Sequence, residues 1–76
     1  MRYGQRYTLA TATLGTLSTG EDRPIMVTMP AGAIVTVLDG VDKETPFVRI
    51  QWEGRTFTMF QIDLLVRGRL TRGFGA

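Results

Sequence analysis

The chain of 76 residues reads as one small all-β domain. Three observations carry that expectation. Glycine or proline punctuates the chain throughout, the runs between them favour β-branched and aromatic residues, and residues 47–60 alternate apolar with polar on both sides of Glu53-Gly54. At 43% hydrophobic and 21% charged, the sequence is too apolar and too weakly charged to remain disordered. So short a chain supports a single core, and with no Cys there is no disulfide to supplement the thin stability that such a core provides.

Residues 7–14 form a threonine-rich first strand that ends at Gly15. Residues 16–23 make a polar loop around Gly20, Glu21 and Asp22, and Pro24 opens a short run over 25–29. Pro30, Ala31 and Gly32 then turn the chain, with proline at the second position and glycine at the fourth suiting a type I turn. Residues 33–38 have the strongest strand propensity, and Asp39-Gly40 stops them. Met26, Met29 and Met59 are assigned to the core as adaptable apolar fillers.

The hairpin over 47–60 has a register that follows from parity. An even connection through Glu53-Gly54 sets Gln51 opposite Thr56, Ile50 opposite Phe57, Arg49 opposite Thr58 and Val48 opposite Met59. Val48, Ile50, Trp52, Phe57 and Met59 then share a core face, while Phe47, Arg49, Gln51, Thr56, Thr58 and Phe60 share the other. A three-residue loop would mix the two sets, so the even loop is expected. Phe60, Ile62 and Leu64 are spaced as in a single 3₁₀ turn, and 65–67 resume as the closing strand. The domain is therefore placed at 1–67, with 68–76 as a flexible arginine- and glycine-containing tail.

Five short strands, a long irregular loop over 16–30 after the first, a tight hairpin at Glu53-Gly54 between the third and fourth, and a 3₁₀ turn over 60–64 before the last resemble the SH3-like small β-barrel across residues 7–67. The resemblance implies a five-stranded barrel. Peptide-binding SH3 domains read polyproline with an ALYDY-type segment and a tryptophan pair. The first strand here contains Ala10-Thr11-Ala12-Thr13-Leu14 instead, and the single tryptophan, Trp52, falls on the core face, so polyproline binding is not implied. An OB-fold is the second architecture, disfavoured for want of a helix between strands.

Catalysis is hard to assemble from these residues. With no His and no Cys, the commonest general base, thiolate metal sites and a cysteine nucleophile are excluded. The seven carboxylates fall mostly at turns, where burial that would tune a pKa is not expected. Asp39, Asp42 and Glu44 cluster, but Lys43 sits among them and the spacing fits no calcium loop, so they read as a solvated turn. No metal, cofactor or small-molecule substrate is therefore expected, and the chain reads as non-enzymatic. Certain plasmid-type dihydrofolate reductases with SH3-like folds build an active site in a pore between identical subunits. Their Val-Gln-Ile-Tyr stretch has no counterpart, the nearest text being Val48-Arg49-Ile50-Gln51-Trp52.

Charge is distributed unevenly. Residues 1–46 hold four basic and five acidic groups, for a net −1, whereas 47–76 hold five arginines against Glu53 and Asp63, for a net +3. Eight of the nine basic residues are arginine, the residue of bidentate and stacked contacts. The expected binding residues are Phe47, Arg49 and Phe60 on the sheet face, with Arg67, Arg69 and Arg72 extending them. Phe60 is the open position, on the surface by parity but core if the 3₁₀ turn folds it inward. An aromatic patch rimmed by arginine suits a protein partner or a second copy of the chain. The alternative is a nucleic acid, with arginine on phosphate and rings on bases. Residues 1–6 are not a leader's apolar segment, and the longest uncharged stretch, 24–38, holds two prolines and a glycine, so a cytoplasmic protein without a membrane span is expected.

Overall fold

The structure, a computed structural model, describes residues 3–17, 24–38 and 45–71. It is an all-antiparallel β domain with seven strands: β1 (Arg6–Leu9), β2 (Thr13–Leu17), β3 (Ile25–Met29), β4 (Ile34–Val37), β5 (Phe47–Trp52), β6 (Arg55–Phe60) and β7 (Gly68–Thr71), with a short helix, α1 (Gln61–Arg67), between the last two. They form one sheet in the order β3-β2-β6-β5-β4-β1-β7, so the sheet is not closed and β3 and β7 are its edges.

The expected five strands become seven for identifiable reasons. The run at 7–14 breaks at residues 10–12, where the Ala10 N–H donates to the Arg67 carbonyl (2.6 Å) and the Thr13 hydroxyl to the Thr11 carbonyl (3.0 Å). Its two halves then pair with different neighbours, β1 with β4 and β7, β2 with β3 and β6. Residues 25–29, placed by the barrel comparison within a long loop, form β3 against β2 from Thr13↔Met29 to Leu17↔Ile25. The closing strand begins later than expected. Residues 65–67 belong to α1, and Gly68–Thr71, assigned to the tail, pair with β1 through Tyr7↔Leu70 and Leu9↔Gly68. The 3₁₀ turn is thus a seven-residue α-helix anchored by fully buried Leu64, with Asp63 in its first turn and Arg67 in its last, each favourable to the helix dipole. Residues 72–76, and any flexibility there, lie outside the described residues.

The β1–β2 corner forces the sheet to curl. In a flat sheet, four strand spacings would separate β2 from β1, roughly 19 Å. Leu9 and Thr13 are four residues apart and span at most about 14 Å, so the sheet must wrap. The wrapped interior is filled by Leu9, Met29, Val35, Val37, Ile50, Phe57 and Leu64, with Leu17, Val27 and Trp52 packed at the margin. The turn after β3 runs Pro30 to Ala33, not Met29 to Gly32. The Ala33 N–H reaches the Pro30 carbonyl at 3.1 Å, and Gly32 occupies the third position at φ 89°, as a type II turn requires.

Thr13 is the buried polar residue of the described core, 1% exposed. Thr13→Val keeps the branched shape but removes the bond to Thr11, at a cost of about 1 kcal/mol. Scanning calorimetry is expected to show a melting point lower by about 4–8 °C. An unchanged melting point would mean that the hydroxyl does not hold the corner.

Candidate functional site

The hairpin places the site. Trp52 pairs with Arg55 across a two-residue turn in which Glu53 (φ 52°) and Gly54 (φ 74°) are both left-handed, the type I′ geometry that matches strand twist. The register then runs Gln51↔Thr56, Ile50↔Phe57, Arg49↔Thr58, Val48↔Met59 and Phe47↔Phe60, as parity requires. Val48, Ile50, Phe57 and Met59 are buried, and Trp52 is partly buried with its ring 5.8 Å from that of Phe57. On the outer face Phe47 and Phe60 are 46% and 47% exposed, with ring centroids 5.0 Å apart and planes tilted by 31°. Phe60 is therefore surface, not core. Gln61 fixes this end of the hairpin. Its backbone N–H donates to the Pro46 carbonyl, and its side-chain amide to the carbonyls of Thr45 (2.6 Å) and Phe47 (3.2 Å).

The aromatic pair is part of a wider apolar surface. Thr16 pairs with Met26 on one side and with Thr58 on the other, giving a row Met26, Thr16, Thr58, Arg49 across β3, β2, β6 and β5. The same register continued by two residues sets Leu14 opposite Phe60, giving a second row of Leu14, Phe60 and Phe47. Leu14 and Met26 are more than half exposed, and the Thr16 hydroxyl donates to the Met26 sulfur at 3.4 Å. Between the rows lies a groove of about 140 Å³, lined by the residues of both rows other than Arg49, by Met59 and by Asp63. It is smaller than the ~300–1,000 Å³ of a small-molecule site and suits one or two side chains of a macromolecule. Among the described residues Asp63 is its only ionisable lining group.

The surface position of Met26 is legible in the sequence. Met26 and Met29 are three residues apart on one strand, so they face opposite sides and only one can be core. Met29 is fully buried and Met26 is 61% exposed, which corrects the assignment of Met26 to the core.

The expected binding residues do not form one patch. Phe47, Arg49 and Phe60 share the outer face. Arg67 instead spans the β1–β2 corner, its guanidinium donating to the Ala12 carbonyl at 3.2 Å. Arg69 lies opposite Thr8 on β7, three strands from β5 in the sheet order. Its row continues through Thr8 and Ile34 to the Glu53 level, four residues along the strand from Arg49, so the two arginines are separated by roughly 13 Å by 14 Å over the surface. Arg72, Asp39, Asp42, Lys43 and Glu44 lie outside the described residues. Among the described residues no cluster of three or more acidic, His or Cys side chains is placed to hold a metal ion. No described helix is long and apolar enough to cross a membrane. The chain matches no protein-family model, no curated protein and no solved structure.

Proposed function

We propose that this chain is a non-enzymatic interaction module of SH3-like architecture that binds a protein partner, or itself, through the outer face of β2, β3, β5 and β6. The curl forced by the β1–β2 corner and the helical turn before the closing strand support the architecture. The observation that carries the function is the half-exposed Phe47–Phe60 pair, continued by Leu14 and Met26 around a groove sized for side chains. Exposed aromatic and methionine side chains beside arginine are the composition of protein interfaces. The separation of Arg67 and Arg69 from this face favours protein over nucleic acid, since a backbone-tracking site needs its cations in one contiguous stripe.

Immobilised wild-type chain and the Phe47→Ala/Phe60→Ala variant, each incubated with cell lysate with and without nuclease, test this reading. The expected result is a set of proteins retained by wild type, reduced at least tenfold on the variant and unaffected by nuclease. Identical retention by both chains would remove the face from consideration, and nuclease-sensitive retention would establish the nucleic-acid alternative.

A further inference from the structure

We infer that the free edge of β3 takes up an extended, uncharged strand of a partner protein, added antiparallel to the sheet through backbone hydrogen bonds at Met26 and Thr28. The inference rests on the reading of this chain as a protein-binding module and names how the partner is held. The direction of each backbone group follows from one bond. The Leu38 N–H donates to the Arg49 carbonyl at 2.9 Å, so the main-chain groups of Arg49 point to β4 and away from β6. Along an antiparallel ladder, pairs that exchange hydrogen bonds alternate with pairs that do not. Thr58, opposite Arg49, therefore directs its groups to Thr16, and Thr16 directs its own back to β6. Gly15 and Leu17 are left to bond Val27 and Ile25, which turns the N–H and C=O of Met26 and Thr28 away from β2. β3 ends the sheet, so no described strand meets them.

Edges of this kind are commonly blunted by a charge or a bulge. β3 pairs with β2 over all five of its residues without a bulge, and residues 24–30 carry no charge. β7, the other edge, carries Arg69, and its Gly68 N–H is already given to the Leu64 carbonyl. The side chains of β3 state what it would accept. Ile25 and Val27 share the core face with Met29, yet Ile25 is 48% exposed and Val27 only partly buried, whereas Met29 is fully buried. An added strand covers both, so its residues on that side are apolar, and a charge there would be buried without a counter-ion. Proline sets the last condition. Pro24 and Pro30 hold the next positions of outward parity at either end, and neither has an N–H to offer. A second copy would bring the same gaps, with donors at Met26 and Thr28 alone, whereas a proline-free strand supplies a donor at every outward position. The donors therefore favour a foreign strand, bound in the manner of strand addition.

Amide chemical-shift titration of the isotope-labelled chain with the capped peptide Thr-Val-Thr-Val-Thr-Val, to about 2 mM, tests the inference. Saturable shifts and slowed exchange are expected at the Met26 and Thr28 amides. With valine covering Ile25 and Val27, the threonine N–H groups of the peptide face β3 and the valine N–H groups point away. N-methylation of the valines should therefore preserve binding, and N-methylation of the threonines should weaken it at least tenfold. Thr28→Pro removes an outward donor but no bond to β2, so it should stay folded by circular dichroism and lose binding at least tenfold. Thr28→Lys should also keep the fold and weaken binding, by placing a charge on the edge. Absence of saturable shifts at these amides, indifference to which residues are methylated, or undiminished binding by folded Thr28→Pro overturns the inference. Dimerisation of wild type that Thr28→Pro abolishes would overturn it too, by giving the edge to a second copy. Retained proteins lost on Phe47→Ala/Phe60→Ala but kept by Thr28→Pro would remove the edge alone and leave the outer face standing. Retained proteins lost on Thr28→Pro but kept by Phe47→Ala/Phe60→Ala would remove the face and support the edge.

Discussion

Phe57→Ala is expected to remove about 3–5 kcal/mol of stability, several times the loss from Phe47→Ala on the same hairpin. Both substitutions remove a phenyl ring from an antiparallel strand, and burial alone separates them. Phe57 is 2% exposed, faces Ile50 on β5 and Leu17 on β2, and contacts the ring of Trp52. Truncating such a residue costs about 3–5 kcal/mol, the lost transfer energy plus the cavity that a rigid core cannot close. A domain of this size holds about 4–11 kcal/mol in all, so the loss consumes much of its stability. Phe47 is already 46% in water, and its removal forfeits chiefly the edge of the Phe60 contact, about 1 kcal/mol. Urea titration followed by the fluorescence of Trp52, the single tryptophan, measures both. Comparable losses in the two variants would mean that the faces of the hairpin are wrongly assigned.

That contrast rests on the part of the fold most legible in the sequence. From Val48 to Trp52 and from Thr56 to Met59 the strands alternate apolar with polar, and the two-residue turn admits one register that keeps the apolar sets together. Local pattern suffices there because the pairing partners adjoin in sequence. It fails where a segment's state depends on distant chain. Nothing in residues 7–14 says that the strand must bend at Ala10, because the bend is held by the carbonyl and guanidinium of Arg67, more than fifty residues away. The end of the chain is obscure in the sequence for a different reason. Residues 55–67 are the longest stretch free of glycine and proline. Leu64, Leu65 and Arg67 favour helix within it, but the apolar spacing of Phe60, Ile62 and Leu64 reads as a single 3₁₀ turn with a strand after it. Gly68, taken as the start of a tail, is the residue that lets the helix end and β7 begin. The site divided along the same line. Its hairpin residues could be read from parity, whereas Leu14 and Asp63 joined it through the β2–β6 pairing and the unrecognised helix.

Gly68→Ala is expected to cost about 2–3 kcal/mol, although nothing in the backbone conformation there requires glycine. Gly68 is extended, at φ −100° and ψ 155°, and its N–H caps α1 by donating to the Leu64 carbonyl. The constraint is space. A Cβ would lie 2.5 Å from that same carbonyl oxygen and 3.0 Å from Cδ1 of the fully buried Leu64, so backbone or core must move. Gly15→Ala is the informative contrast. The Cβ there would crowd the terminal methyl of Met29 at 2.8 Å, a flexible group able to swing aside, and the cost should stay below about 1 kcal/mol. The location of the damage is as telling as its size. Shifting the α1–β7 junction also shifts Arg67, whose carbonyl and guanidinium hold the β1–β2 corner. Native-state hydrogen exchange should therefore show Ala10 and the β1–β7 amides losing protection while β5 and β6 retain theirs. If the hairpin amides open first, the corner does not depend on this junction and the curl of the sheet must be maintained elsewhere.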